Sequence, residues 1–111
     1  MLNIEEIKAE IVKRLKPLQP QKIILFGSYA YGEPNEDSDI DLFLLKDDLA
    51  LAKMREYKLR LQKELFDIQK KYLLGIDLFV DSTQRMKYRI DTVKDQFYSD
   101  ILEKGEVIYA Q

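Results

Sequence analysis

The sequence predicts an α/β (α+β) protein: a small mixed β-sheet with helices packed on one face and a carboxylate-bearing face left open. Three observations carry this. Two runs, "DIDLFLL" (39–45) and "GIDLFV" (75–80), share one alternation, apolar on one parity and Asp then Phe on the other, as half-buried strands do. A third run, "QKIILFG" (21–27), is short, apolar and rich in branched residues, a strand by length. Segments of helical period surround them, and the order helix, strand, strand, helix, strand, helix suits one mixed sheet with helices packed on it.

Taken in order, "NIEEIKAEIVKRLKPL" sets Ile4, Ile7, Ile11, Leu15 and Leu18 at helical spacing, with Asn3 and Glu6 as a capping pair and Pro17 and Pro20 as the stop. The first strand follows. Residues 27–37 read as a loop or brief helix, punctuated by Gly32 and Pro34. After the second strand, Asp47 or Asp48 is placed to cap a helix lasting to about Leu73, with the stripe Met54, Tyr57, Leu61, Leu65, Ile68 and Tyr72. The third strand leads to a polar helical stretch opened by Ser82 or Thr83. A last helix stops at Gly105, and "EVIYA" adds a short edge strand.

The chain has 111 residues, 46% hydrophobic and 34% charged, which fits one domain over 1–111 with a real core. Lys plus Arg (18) nearly balances Asp plus Glu (20), which argues against nucleic acid as a direct ligand. With no cysteine and no histidine, disulfides, thiolate chemistry, the usual zinc ligands and Ser-His-Asp catalysis are excluded. Any chemistry falls to carboxylates and hydroxyls, whose oxygens suit hard cations such as magnesium. No apolar run approaches the roughly 20 residues of a membrane span, and the acidic, periodic start does not resemble a signal peptide. A soluble, cytoplasmic protein is the expectation.

The parity of the two Asp-Phe strands is the informative feature. Ile40, Leu42 and Leu44 share one face, and Asp39, Asp41 and Phe43 the other; Asp77, Phe79 and Asp81 repeat the second pattern. If the strands are neighbours, Asp39, Asp41 and Asp77 converge. Carboxylates that close repel and raise one another's pKa unless a cation lies between them, so one or two divalent metals are a candidate resolution. The plainer reading, strand-end acids facing solvent, has against it that Asp is poor in strands. Ahead of the acids, Gly27-Ser28 ends the first strand. Glycine permits close backbone approach to a phosphate and a helix starting at Ser28 adds a favourable dipole, although Gly-Ser after a strand is most often only a turn. Phe43 and Phe79 either floor a pocket or pack, packing being the commoner role. The cations Lys70, Lys71, Arg85, Lys87 and Arg89 either steer an acidic partner or triphosphate, or form a solvated face.

Gly27-Ser28, then ten residues, then Asp39-x-Asp41, with a later strand acid at Asp77, resembles the nucleotidyltransferase superfamily related to DNA polymerase beta. The phrasing "FGSYAYGE…SDIDLFLL" is similar to its minimal nucleotidyltransferase (MNT) branch. The resemblance spans about Lys22 to Val80. It implies the nucleotidyltransferase fold, Gly27 and Ser28 as nucleotide-binding residues holding the triphosphate, and Asp39, Asp41 and Asp77 as catalytic acids and metal ligands for two magnesium ions. The implied reaction transfers a nucleoside monophosphate, AMP from ATP, to a hydroxyl. One position departs: where the family often has Arg, this loop has Tyr31, which removes a cation near the phosphates. Nearly all of this short chain is spent on sheet and helices, so the acceptor is expected on another polypeptide. The resemblance implies a HEPN-domain toxin as that partner, modified on a tyrosine in a hetero-oligomer, with this chain as the antitoxin. The predicted helix 49–73 is a candidate partner surface, although its stripe is better read as core. Two rivals remain: transfer to a small molecule, as in aminoglycoside-modifying relatives, and a non-catalytic antitoxin that acts by binding.

Overall fold

The computed structural model describes residues 3–35 and 37–111; Met1, Leu2 and Glu36, the last within the predicted 27–37 loop, lie outside the described residues. The elements are α1 (Ile4–Leu15), β1 (Lys22–Phe26), α2 (Ser28–Tyr31), β2 (Ile40–Leu45), α3 (Leu51–Tyr72), β3 (Ile76–Asp81), α4 (Thr83–Tyr88), α5 (Gln96–Lys104) and β4 (Glu106–Ala110). A 3₁₀ turn, Lys16–Leu18, follows α1, and a π turn, Arg89–Val93, links α4 to α5. No helix among the described residues is long and apolar enough to cross a membrane.

The four strands form one mixed sheet in the order β3-β2-β1-β4. β1 runs antiparallel to both β2 and β4, and β2 runs parallel to β3. The parallel pair needs a crossover connection, which α3 supplies. On one face Ile23, Leu25, Ile40, Leu42, Leu44 and Leu78 meet Ile7, Ile11 and Leu15 of α1 and Tyr57, Leu61, Leu65 and Ile68 of α3. The predicted α3 stripe is therefore core. Tyr57 brings a polar tip into it and donates its hydroxyl to the Leu18 carbonyl at 2.8 Å, the pairing that a buried phenol needs. Asn3 caps α1 as expected, its Oδ1 accepting the Glu6 N–H at 3.2 Å.

The mixed-sheet architecture agrees with the sequence, with two local differences. Helices are not confined to one face. Ile24, Phe26, Phe43 and Leu45 make the second face too apolar to stand in water, and Met86 and Ile101 roof it. That face remains open at its acidic end and at Phe79, which is exposed. The second difference concerns α3. Its N-cap is Ala50, with no side-chain cap, so neither Asp47 nor Asp48 fills that role. Asp48 takes a left-handed conformation, φ 59°, which turns both acids toward α4. The Thr83 hydroxyl donates to Asp47 Oδ1, and Gln84 Nε2 donates to Asp48 Oδ1 at 3.0 Å. Ser82 is the α4 cap, accepting the Arg85 N–H at 3.0 Å.

Candidate functional site

The site begins where β1 ends. Gly27 has φ 73° and ψ −156°, a region that only glycine occupies without strain. This conformation turns the chain from β1 into α2, and the Gly27 carbonyl accepts the Ala30 and Tyr31 N–H groups at 3.0 and 3.1 Å. Space matters as much as conformation. A Cβ on Gly27 would overlap Asp41 Oδ2 and stand 3.0 Å from its Cγ. The missing side chain is the seat of the Asp41 carboxylate. Gly75, immediately before β3, does the same for the preceding acid: a Cβ there would stand 2.9 Å from Asp39 Cγ.

Register then brings the acids together. Asp41 lies opposite Phe26 on β1 and opposite Asp77 on β3. Asp39 is not in the strand, as parity alone suggests. It precedes β2 by one residue and is exposed, because pairing begins only at Ile40, whose N–H bonds the Gly75 carbonyl. Asp41 is held above its ordinary carboxylate pKa, first by burial, then by the charges of Asp77 and Asp39, and by a hydrogen bond shared with Asp77. The three predicted acids are thus electrostatic neighbours. Among the described residues, no three such side chains are gathered at ligating spacing, so they form an open set rather than a closed cage.

The donor chemistry fits a hard divalent cation. The ligands on offer are carboxylate oxygens with no imidazole or thiolate, which suits magnesium or manganese. The two glycine recesses hold Asp41 and Asp39, and a cation would relieve the repulsion that raises the Asp41 pKa. Ser28, the first residue of α2, is half-buried, and Tyr31 at its end is exposed.

The aromatic pair divides in role. Phe43 and Phe79 stack at 6.4 Å with planes 5° apart. Phe43 is buried, while Phe79 is 40% exposed and meets Phe26 and Phe97 at 5.6 Å each. The cations at 70–71 and 85–89 form no single patch. Lys71 bonds Glu10 at 3.2 Å, Lys70 lies over the Phe66 ring, and Arg89 lies over Tyr98.

Arg85 belongs to a network that parity did not disclose. Asp81 shares its face with Asp77 but is 6% exposed and committed elsewhere. Arg85 Nε and the Ser82 N–H donate to its Oδ1, the latter at 2.8 Å, and Tyr98 donates to its Oδ2 at 2.7 Å. Arg85 also donates to the Leu49 carbonyl at 2.8 Å. Burial and the bond to Asp81 push the Tyr98 hydroxyl up to about 12. The signal in the sequence was Asp81 and Arg85 at helical i, i+4 spacing; Tyr98 had none.

The family model described as "Polymerase beta, Nucleotidyltransferase" matches residues 5–111. The chain belongs to that nucleotidyltransferase family. Two proteins of Methanocaldococcus jannaschii, each provisionally named a protein adenylyltransferase, are similar to this nucleotidyltransferase. One is 34% identical, covering 97% of this chain and all of its own; the other is 28% identical, covering 92% and 91%. Among solved structures, a toxin–antitoxin complex with AMP-PNP is similar to it at a TM-score of 0.54 and 22% identity, over 94% of this chain and 73% of the other. A second, a mutant of the toxin–antitoxin MntA–HpeT, has the same TM-score at 21% identity, over 99% and 75%. These neighbours share the fold, and the whole agrees with the minimal branch of the family.

Proposed function

We propose that this nucleotidyltransferase transfers AMP from ATP to a tyrosine hydroxyl of a partner HEPN-domain toxin, and that this modification is how it acts as an antitoxin. The observation that carries the reading is the Gly27 recess, which seats Asp41 directly beside Asp77 and raises its proton affinity. A protein has little structural reason to place carboxylates against one another. The relatives named as protein adenylyltransferases support the transfer of AMP, and the toxin–antitoxin neighbours support the partner.

In this reading Gly27 and Ser28 hold the triphosphate with backbone N–H groups and the Ser28 hydroxyl. Asp39, Asp41 and Asp77 would hold two magnesium ions, which would supply charge neutralisation for the transfer. The acceptor oxygen forms a bond to the α-phosphorus. The bond from that phosphorus to the oxygen bridging to the β-phosphate breaks, and pyrophosphate departs with the electron pair. Asp77 accepts the proton of the acceptor hydroxyl. No histidine is needed.

The test mixes the purified protein with the product of the adjacent gene, ATP and magnesium. Mass spectrometry is expected to find one AMP on a partner tyrosine, lost with Asp41→Asn. A toxin neutralised with no added mass under any nucleotide would replace this reading with antitoxicity by contact alone, which only Tyr31 in the loop favours.

A further inference from the structure

Among the described residues, a concave feature lies further along β3 from the acids. A groove of ≈ 420 Å³ runs along the outer edge of β3, between the start of α3 and α5. Phe79 and Phe97 line it with rings 40% and 45% exposed, Leu51 and Val80 continue the apolar wall, and Arg55 and Lys58 form a cationic rim. Phe79 lies on the same side of β3 as Asp77 and two residues further on, about 7 Å along a strand.

We propose that this groove docks the acceptor: an extended, acidic segment of a partner protein that carries the accepting tyrosine. The role of that tyrosine rests on the transfer reading above. The docking argument does not.

Three observations support it. The first is backbone. β3 is an edge strand. The Ile40 and Lys46 N–H groups bond the carbonyls of Gly75 and Asp81, so the odd-numbered residues of β3 address β2 and Ile76, Leu78 and Val80 turn outward. Gln69 Oε1 accepts the Ile76 N–H at 2.9 Å and Leu78 is buried, so the edge backbone on offer in the groove is that of half-buried Val80. An extended peptide entering the groove can bond the backbone at Val80, a short form of the mode by which sheet edges take peptides. The second is the wall. Two ring surfaces half-open to solvent match a phenol, which contributes an apolar body and leaves its polar tip free. A tyrosine seated against Phe79 directs its hydroxyl along β3 toward Asp77. The third is charge. Arg55 and Lys58 make no ion pair among the described residues, in a chain whose net charge is −2. Free cations at the rim of an apolar groove favour acidic flanks on whatever enters it. A second copy of this chain would bring its own Arg55 and Lys58 to the same edge.

The experiment uses the full chain and two fluorescein-labelled peptides, each with one tyrosine, flanked by Glu and Asp in one and by Lys in the other. Binding is read by fluorescence anisotropy. The acidic peptide is expected to bind and the basic one not. The double variant Arg55→Glu/Lys58→Glu is expected to weaken the acidic peptide about tenfold or more, with magnesium-ATP binding by calorimetry unchanged. Failure of the acidic peptide to bind, or equal binding by the double variant, would overturn the proposal. So would loss of magnesium-ATP binding in the variant, which makes the groove a nucleotide site, or a dimer-to-monomer change on sedimentation, which makes it a contact between copies. A peptide that binds with the expected charge dependence but takes no AMP, alongside a partner that takes none either, leaves the docking inference standing and removes the transfer reading.

Discussion

Replacing Gly27 by Ala tests conformation and site together. Ala must adopt φ 73° and ψ −156°, a strained conformation for any L side chain that costs about 1–3 kcal/mol. Its methyl must also displace the Asp41 carboxyl, whose Cγ would lie 3.0 Å away, an overpacking that adds about 1–3 kcal/mol. Swinging Asp41 away from Asp77 and Asp39 returns some repulsion, so a net loss of about 2–4 kcal/mol is expected. For 111 residues, with an unfolding entropy near ~2.1 cal/mol/K per residue, each kcal/mol moves Tm by roughly 4 °C. The expected fall is therefore about 8–16 °C, measured by circular dichroism at neutral pH, together with loss of AMP transfer. Gly75→Ala is the matched control. Gly75 has no positive φ, and the three atoms nearest its Cβ all belong to the carboxyl of Asp39, an exposed side chain with room to turn aside. Its Tm should stay within about 2 °C of the parent while magnesium affinity falls. A Gly27→Ala protein as stable as the parent would refute the conformational argument. An equal fall in both variants would show that steric overlap, not backbone strain, dominates.

Other outcomes follow from the same geometry. The folded-state pKa of Asp41 is raised, so its charge destabilises the fold above the ordinary carboxylate range, and that penalty vanishes as the pH falls below it. Asp41→Asn should raise Tm at neutral pH in magnesium-free buffer, the gain should shrink toward acid pH, and transfer should be lost; a pH-independent change in Tm would mean that the repulsion is not felt. Tyr98→Phe removes the donor from Asp81 Oδ2 and should cost about 1–2 kcal/mol, read as a shift in urea midpoint with unchanged slope. Asp77→Asn and Asp81→Asn should separate cleanly. The first is expected to abolish transfer at near-parental stability. The second should lower Tm by several degrees, roughly 4 °C per kcal/mol, while magnesium binding persists. Magnesium binding that disappears with Asp81→Asn but survives Asp77→Asn would exchange their roles.

Strand parity carried most of what was legible. The pairing of Asp41 with Asp77 follows from two runs of identical pattern, because side chains alternate and neighbouring parallel strands keep that alternation in step. The glycines were legible only in part. Gly27 stood out beside Ser28, but Gly75 read as the start of a strand, and its role as a recess for Asp39 depends on a contact 36 residues away in sequence. The capping of α3 went to Ala50 because Asp47 and Asp48 found partners on α4, a competition that local propensity does not register. The second helical layer was hidden for a related reason. Ile24, Phe26, Phe43 and Leu45 belong to two strands, and their sum as an apolar surface exists only once β1 and β2 pair. Asp81 shares a face with Asp77; the i, i+4 spacing to Arg85 is the one local sign of a clamp, and Tyr98 completes it only when it arrives from α5.

The register of β2 against β3 carries a consequence for how this protein fails. Asp41 faces Asp77 in the same ladder that sets Leu42 against Leu78, and core and site occupy alternate residues of the same two strands. A slip by one residue would move Leu78 out of the core in the same step that moves Asp77 out of the site. Folding fidelity and chemical competence are therefore one switch rather than two. A chain that has mispaired these strands is exposed to quality control as unfolded, instead of persisting as a well-folded protein with a misaligned site.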